Sequence, residues 1–383
     1  MGAVLHLIGS GLGIGAAELG IVLGSFLLGA AIFQIPAGFA ALRWGNRRVS
    51  LLALVVMGGF ALASGFSPDW YVLAALRFGT GAGAALFFAP ALGLVSAYYP
   101  PGSRGPIIGL YNAGFSAGAA IGLFLGALIG VAFGWQWALA VGGIGLLIAA
   151  AAAAVLLPPV PGPTVPRRLS EILSEVGPIL RSRPLWVLSL AVTGLWAAFY
   201  IVAQYFVEFA STVHPLWSLA LAAALPTVMI LVEIVSGPVG GWLGERPGDM
   251  RTVLLLFAVP SGAVVLLIPF LPLAGLVVVF VFLGFGDGVV FAVMYLIPSY
   301  HLEGHGEGLA LALGLLNCVQ IFAGSALAIA FGFLAVDFGY TDAWIFAGIV
   351  GLAPLPLLLW LSGARRPGPS DSLRGAPQPG RLG

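Results

Sequence analysis

The chain has no lysine; all fifteen of its basic residues are arginine. Charge of either sign is scarce, at 8% of residues against about a quarter in a soluble domain, which excludes a soluble globular protein. A single cysteine, Cys318, leaves no disulfide framework. A net charge of +1 offers no footprint for nucleic acid. There is no Cys/His metal spacing, no phosphate-binding loop in a soluble domain and no Gly-x-Ser-x-Gly elbow. Nothing here can hydrolyse ATP, no metal is expected, and no enzyme constellation competes. His301 and His305 stand four apart, but they flank Glu303 in a glycine-rich loop.

What fills the chain is apolar sequence, at 60% of residues. With roughly 20 apolar residues needed per spanning helix, the runs read as eleven complete spans. They cover about 18–41, 49–66, 71–98, 106–131, 136–157, 185–209, 216–243, 252–271, 273–298, 308–334 and 342–362. Open β-structure would leave its backbone edges unsatisfied in lipid. A closed barrel needs shorter, strictly alternating runs. Residues 1–16 are too short to cross and lack a basic n-region or a cleavage site, so a signal peptide is not expected. They read as the outer end of a first helix whose beginning lies upstream, so the complete spans are numbered 2 to 12.

The arginines set the orientation. Only Arg77 lies inside an apolar run; the other fourteen occupy the breaks or the tail. Arginine-bearing breaks alternate with breaks that hold no basic residue, which is the positive-inside pattern of a multi-pass membrane protein. The breaks with Arg43, Arg47 and Arg48, with Arg104, with Arg167 to Arg183, and with Arg246 and Arg251 are expected to face the cytoplasm. So is the tail with Arg365 and Arg366. The break between spans 10 and 11, with Glu303 and Glu307, is weakly marked; acidic residues count little in the rule.

The longest polar interval, 158–184, divides an N-terminal bundle (1–157) from a C-terminal one (185–362). A proline cluster at 158–166 opens it. Leu169, Ile172, Leu173, Val176 and Leu180 then recur at helical spacing among arginines, which reads as a short amphipathic helix on the inner membrane surface or a plain tether. The tail, 363–383, is rich in Pro, Gly, Ser and Arg, and disorder is expected.

Two breaks repeat one pattern. After span 2 the chain reads Gly38-Phe-Ala-Ala-Leu42-Arg43-Trp-Gly45-Asn-Arg-Arg48. After span 8 it reads Gly241-Trp-Leu-Gly-Glu245-Arg246-Pro-Gly248-Asp-Met-Arg251. Two six-helix halves related in this way point to a transporter built from repeats. These segments resemble the loop motif of the major facilitator superfamily, Gly-x-x-x-Asp-Arg-x-Gly-x-x-Arg. Arg77, Gly81 and Gly83 resemble its Arg-x-x-x-Gly-x-Gly signature in helix 4. The resemblance covers spans 2 to 12. It implies an all-α fold of two six-helix bundles, with helix 1 truncated here, that expose a central site alternately. It also implies a secondary active transporter in the cell membrane, moving a small-molecule solute without a cofactor and most simply as a monomer. The first copy departs from the family by carrying Leu42 where the acid belongs; the second keeps Glu245. Glu303 and Glu307 with Arg43, Arg47 or Arg48, and Arg104 with Glu245, are therefore candidate gate pairs across the halves. The alternative is a set of solvated charges worth ~0–1 kcal/mol each.

Ionisable residues inside spans cost at least ~2.5–3.5 kcal/mol and normally face a cavity or a partner. Three stand out. Arg77 in span 4 can hold a carboxylate with two parallel hydrogen bonds. Asp287 in span 10, within Gly284-Phe-Gly-Asp-Gly, and Glu233 in span 8 are candidate proton carriers. The alternatives are internal hydrogen bonds, or a salt bridge between Asp287 and Arg77. Those glycines could let the helix bend. Polar residues that could line the same cavity are Gln34, Asn112, Asn317, Gln320 and a stripe of Thr193, Trp196, Tyr200, Gln204 and Glu208 on span 7. Each alone is more often glue between helices. In span 5, Gly109, Gly114, Gly118, Gly122, Gly126 and Gly130 read as a close-packing seam. The antiporter signature's Gly-Pro pair is absent there. The reading is proton-coupled transport of a small organic solute, such as an anion held by Arg77. The alternatives are efflux of an amphipathic compound, or a sensor with the same fold.

Overall fold

Apolar runs of this length form helices because the helix satisfies every interior backbone group within the segment. The computed structural model describes residues 4–14, 16–100, 102–159, 176–246, 248–301 and 306–361. The helices are α1 (Leu5–Leu12), α2 (Ala16–Trp44), α3 (Asn46–Ser64), α4 (Trp70–Tyr98), α5 (Arg104–Phe133), α6 (Trp135–Leu156), α7 (Arg183–Val213), α8 (Leu219–Glu245), α9 (Met250–Val265), α10 (Leu273–His301), α11 (Gly306–Asp337) and α12 (Tyr340–Leu352). No strand occurs among the described residues. Among the described residues ten helical stretches are long and apolar enough to cross a membrane, the last being α12 taken with the 3-10 segment that follows it; α9, at 16 residues, is shorter. It is followed by a 3-10 turn, Ile268–Phe270, so span 252–271 is a helix plus a turn. α12 stops at Leu352, ahead of Pro354, and continues as the 3-10 segment Leu355–Trp360. Proline supplies no N–H to carry the α ladder onward.

Short polar side chains close the helix starts. Asp69 accepts from Val72 N at 2.8 Å, Ser218 from Leu221 N at 3.2 Å and Asp249 from Arg251 N at 3.0 Å. The second glycine of each repeated loop turns with positive φ, 83° at Gly45 and 144° at Gly248. A side chain is strained in that conformation, so glycine is required at both turns.

α2, α3, α4 and α6 pack together in the first half. α7, α9, α10, α11 and α12 do so in the second, with α8 on α10. The halves meet along two seams, α5 against α8 and α2 against α11. Both close tightly at the arginine-bearing end. An added Cβ on Gly105 would strike Gly241, one on Gly109 would strike Gly237, and one on Gly38 would strike the Leu311 backbone. The helical turn 176–180 lies beside the α2–α11 seam, with Val176 and Ile179 buried against Leu42, Leu311 and Ala312. Leu169, Ile172 and Leu173 lie outside the described residues.

Glycine spacing did not reveal which face packs. Gly114, Gly118, Gly122 and Gly126 of α5 meet nothing within contact range, so they are not a packing seam among the described residues. Of that set Gly130 meets Val4 and Gly109 meets α8, on a face it shares with Gly105, Asn112 and Ser116 at intervals of three and four.

Candidate functional site

The α5–α8 seam rises as a ladder from the arginine-bearing end to mid-span. Glu245, Gly241, Gly237 and Glu233 follow one another every fourth residue and so share one face of α8. At the bottom, Glu245 accepts from Gly105 N at 2.8 Å across the halves, and its other oxygen accepts from the Tyr300 hydroxyl. A carboxylate there is favoured by the positive end of α5. Arg104 turns back, donating to the Tyr99 carbonyl at 2.8 Å. The contact across the halves is therefore to the first turn of α5 rather than to the Arg104 side chain. Two glycine pairs form the middle rungs. At the top, Ser116 of α5 stands beside Glu233 of α8. Above it the face opens, with Ala119 exposed and Ala120 half-buried.

Glu233 is 7% exposed and Asp287 2%, and the two carboxyls are close enough to interact. Glu233 Oε2 and Asp287 Oδ1 have no hydrogen-bond partner among the described residues. Burying such atoms unpaired is costly. The glycines around Asp287 fit α10 against its neighbours. Gly284 backs on Met229 and Gly288 on Ser236, both of α8, while Gly286 backs on Ser261 of α9. Ser236 Oγ also donates to the Gly284 carbonyl at 2.9 Å. α10 is helical throughout this stretch, and its glycines let α8 and α9 approach closely.

Further polar groups gather on α10 and α11. Tyr295 donates to Asn317 Oδ1 at 2.6 Å, and Phe88 of α4 stands between the rings of Tyr111 (5.5 Å) and Tyr295 (5.4 Å). Gln320 Nε2 donates to Met294 Sδ at 3.3 Å, leaving Oε1 unpartnered. Asn112 Nδ2 and Gln34 Oε1 also lack a partner among the described residues, and the Gln34 backbone leaves no room for a side chain at Gly314 of α11.

Arg77 sits apart from the acids. Its guanidinium lies 4.9 Å from the Phe26 ring of α2, and Nε is buried without a partner among the described residues. No described contact joins it to Asp287. The α7 stripe divides. Thr193 is buried and bonds to the Ser189 carbonyl, Trp196 lies against Gly324, Tyr200 stacks on Trp196 at 5.4 Å and Gln204 is exposed. Nothing in the described structure bears on the Glu208 side chain.

At the loop end, Arg47 donates to the carbonyls of Ala154 (2.9 Å) and Leu157 (3.2 Å) at the end of α6. Arg251 donates to Leu359 O at 3.2 Å and to Asp249 at 2.7 Å. Arg246 lies 3.6 Å from the Trp242 ring and Arg43 5.8 Å from that of Trp44, while Arg48 is exposed. Glu303 lies outside the described residues, as does the side chain of Glu307. Sequence reasoning missed Tyr295, Phe88, Tyr300 and Ser236 as site neighbours; each stands in an apolar or loop context whose spacing carries no mark.

The Major Facilitator Superfamily model matches residues 1–313. The chain belongs to that superfamily. The superfamily comprises transporters, not enzymes. This MFS chain is 34% identical over 158 residues to a 4-hydroxybenzoate transporter of Pseudomonas putida, a match covering 41% of the chain and 35% of that protein. It is 31% identical over 123 residues to a hexuronate transporter of Bacillus subtilis, covering 32% of the chain and 29% of that protein. The chain thus spans only about a third of these relatives' lengths. Its fold resembles the E. coli fucose:proton symporter at a TM-score of 0.73, with 17% identity and coverage of 94% of this chain and 95% of that one. The protein is a multi-pass membrane protein of the MFS fold.

Proposed function

We propose that this MFS protein is a secondary active transporter of a small organic anion, driven by a proton gradient across the cell membrane. The positive-inside pattern puts the arginine-bearing loops, the 158–184 linker and the C-terminal tail in the cytoplasm. On that orientation the contacts of Glu245 with Gly105 and of Gly38 with Leu311 close the cytoplasmic side. The bundles 1–157 and 185–362 rock about the mid-span site.

One observation carries the reading. Two buried carboxyls, Glu233 and Asp287, hold oxygens without a partner among the described residues, and Glu233 stands at the top of the α5–α8 ladder beside Ser116 of the other half. An unpaired charge at that depth is expensive, so a proton taken from outside neutralises the pair while the halves move. Arg77, with an unpartnered nitrogen of its own, holds the solute's carboxylate. The anion class is supported by two relatives whose substrates, 4-hydroxybenzoate and hexuronate, are both carboxylates.

The test is uptake of labelled 4-hydroxybenzoate and glucuronate into proteoliposomes under an imposed pH gradient. Glu233→Gln and Asp287→Asn should lose accumulation against a gradient but keep solute exchange. Arg77→Ala should lose both. Accumulation retained in both acid variants would remove them as proton carriers. Exchange retained in Arg77→Ala would remove the anion clamp.

A further inference from the structure

We propose that Leu42, Val176 and Ile179 form an apolar latch that holds the arginine-bearing end of the α2–α11 seam shut. The inference rests on the alternating-access reading above. In the repeated loop motif Leu42 stands where the second copy has Glu245. The two positions do the same job by opposite chemistry. Glu245 closes its seam by capping α5 through Gly105 N. Leu42 is fully buried, packed with Val176 and Ile179 of the turn 176–180, Leu185 of α7, and Leu311 and Ala312 of α11.

One rung deeper, Gly38 backs directly on Leu311, so the leucine sits at the edge of a backbone-tight contact. A carboxylate placed here would be buried among the apolar side chains of Val176, Ile179, Leu185 and Leu311, which is costly. When the halves separate at this end, Leu42 and its neighbours must meet water, and the loss of apolar burial opposes opening. The turn 176–180 contributes two of the latch residues. The end of the linker therefore acts as a strap over one seam, while the other seam is held by a charge.

The experiment uses the full chain in lipid nanodiscs with Cys318→Ala. Spin labels sit at Ser103→Cys and Leu359→Cys, exposed positions at the arginine-bearing end of each half. Leu42→Ala and Val176→Ser should raise the ratio of long to short label distances by about tenfold, since each truncates a buried apolar contact. Leu42→Asp, which restores the family's acid, should open this end as well. A Leu42→Asp protein as closed as its parent would overturn the latch. So would opening by Glu245→Gln alone, with Leu42→Ala and Val176→Ser unchanged; rocking would then stand without the apolar latch. A distance that no variant and no solute moves would overturn the latch and the alternating-access reading together.

Discussion

Two arginines show how one side chain secures a whole half. Arg47 reaches the last carbonyls of α6, and Arg251 reaches Leu359 at the end of the α12 segment. Terminal carbonyls have no partner within their own helix, and a guanidinium supplies donors as well as charge of the favourable sign. Each contact ties the first turn of a half's third helix to the end of its last helical segment. Arg47→Ala and Arg251→Ala should therefore each cost about 1 kcal/mol. In a thermal unfolding series that is a loss of about 2–4 °C in Tm, with KM for solute unchanged. Arg77 should behave in the reverse way. Arg77→Lys keeps the charge but loses the planar fork, so KM for a carboxylate should rise roughly tenfold while Tm stays put. A KM equal to the parent's would show that Arg77 does not hold the solute.

At the scale of the helix, α5 carries two glycine sets with different work. Gly105 and Gly109 bring its backbone against α8, while Gly118 and Gly122 meet nothing. Gly241→Val should keep the α5–α8 seam from closing and abolish transport; Gly118→Ala should transport as the parent does. Uptake by both proteins, each checked for a single monodisperse species, decides it. The regular four-residue spacing on α5 was legible in the sequence, but only its ends, Gly109 and Gly130, pack closely; the four glycines between them meet nothing. A helix turns every 3.6 residues, so a four-residue repeat drifts around the surface, and only the partner selects the face. The glycines beside Asp287 misled in the same way. Flexibility was one reading of them; contact with Met229, Ser236 and Ser261 is what the packing uses.

For the molecule as a whole, the fold was legible because the bilayer dictates it. Span lengths, arginine-free breaks and the doubled loop motif follow from lipid, and each can be read locally. The site was legible only as a set of residue types. Glu233, Asp287 and Arg77 stand out because charge inside a span is rare, but the approach of Glu233 to Ser116 and the bond from Gly105 to Glu245 join segments more than a hundred residues apart. No local spacing records such pairings. The same two contacts set the last prediction, because they mark how far the closed face is followed from the arginine-bearing end. Asn112 lies below that point, buried on the closed face; Ala119 lies above it, exposed. In a Cys318→Ala background, Ala119→Cys should react with a membrane-impermeant thiol reagent added outside. Asn112→Cys should react at least about tenfold more slowly, as a buried position that is reached only through a minor open state. Excess 4-hydroxybenzoate should slow labelling at Ala119→Cys if solute enters from that side. Equal rates at the two cysteines would mean that the seam is not closed at mid-span, and the proton-linked contact at Glu233 would lose its place at the boundary.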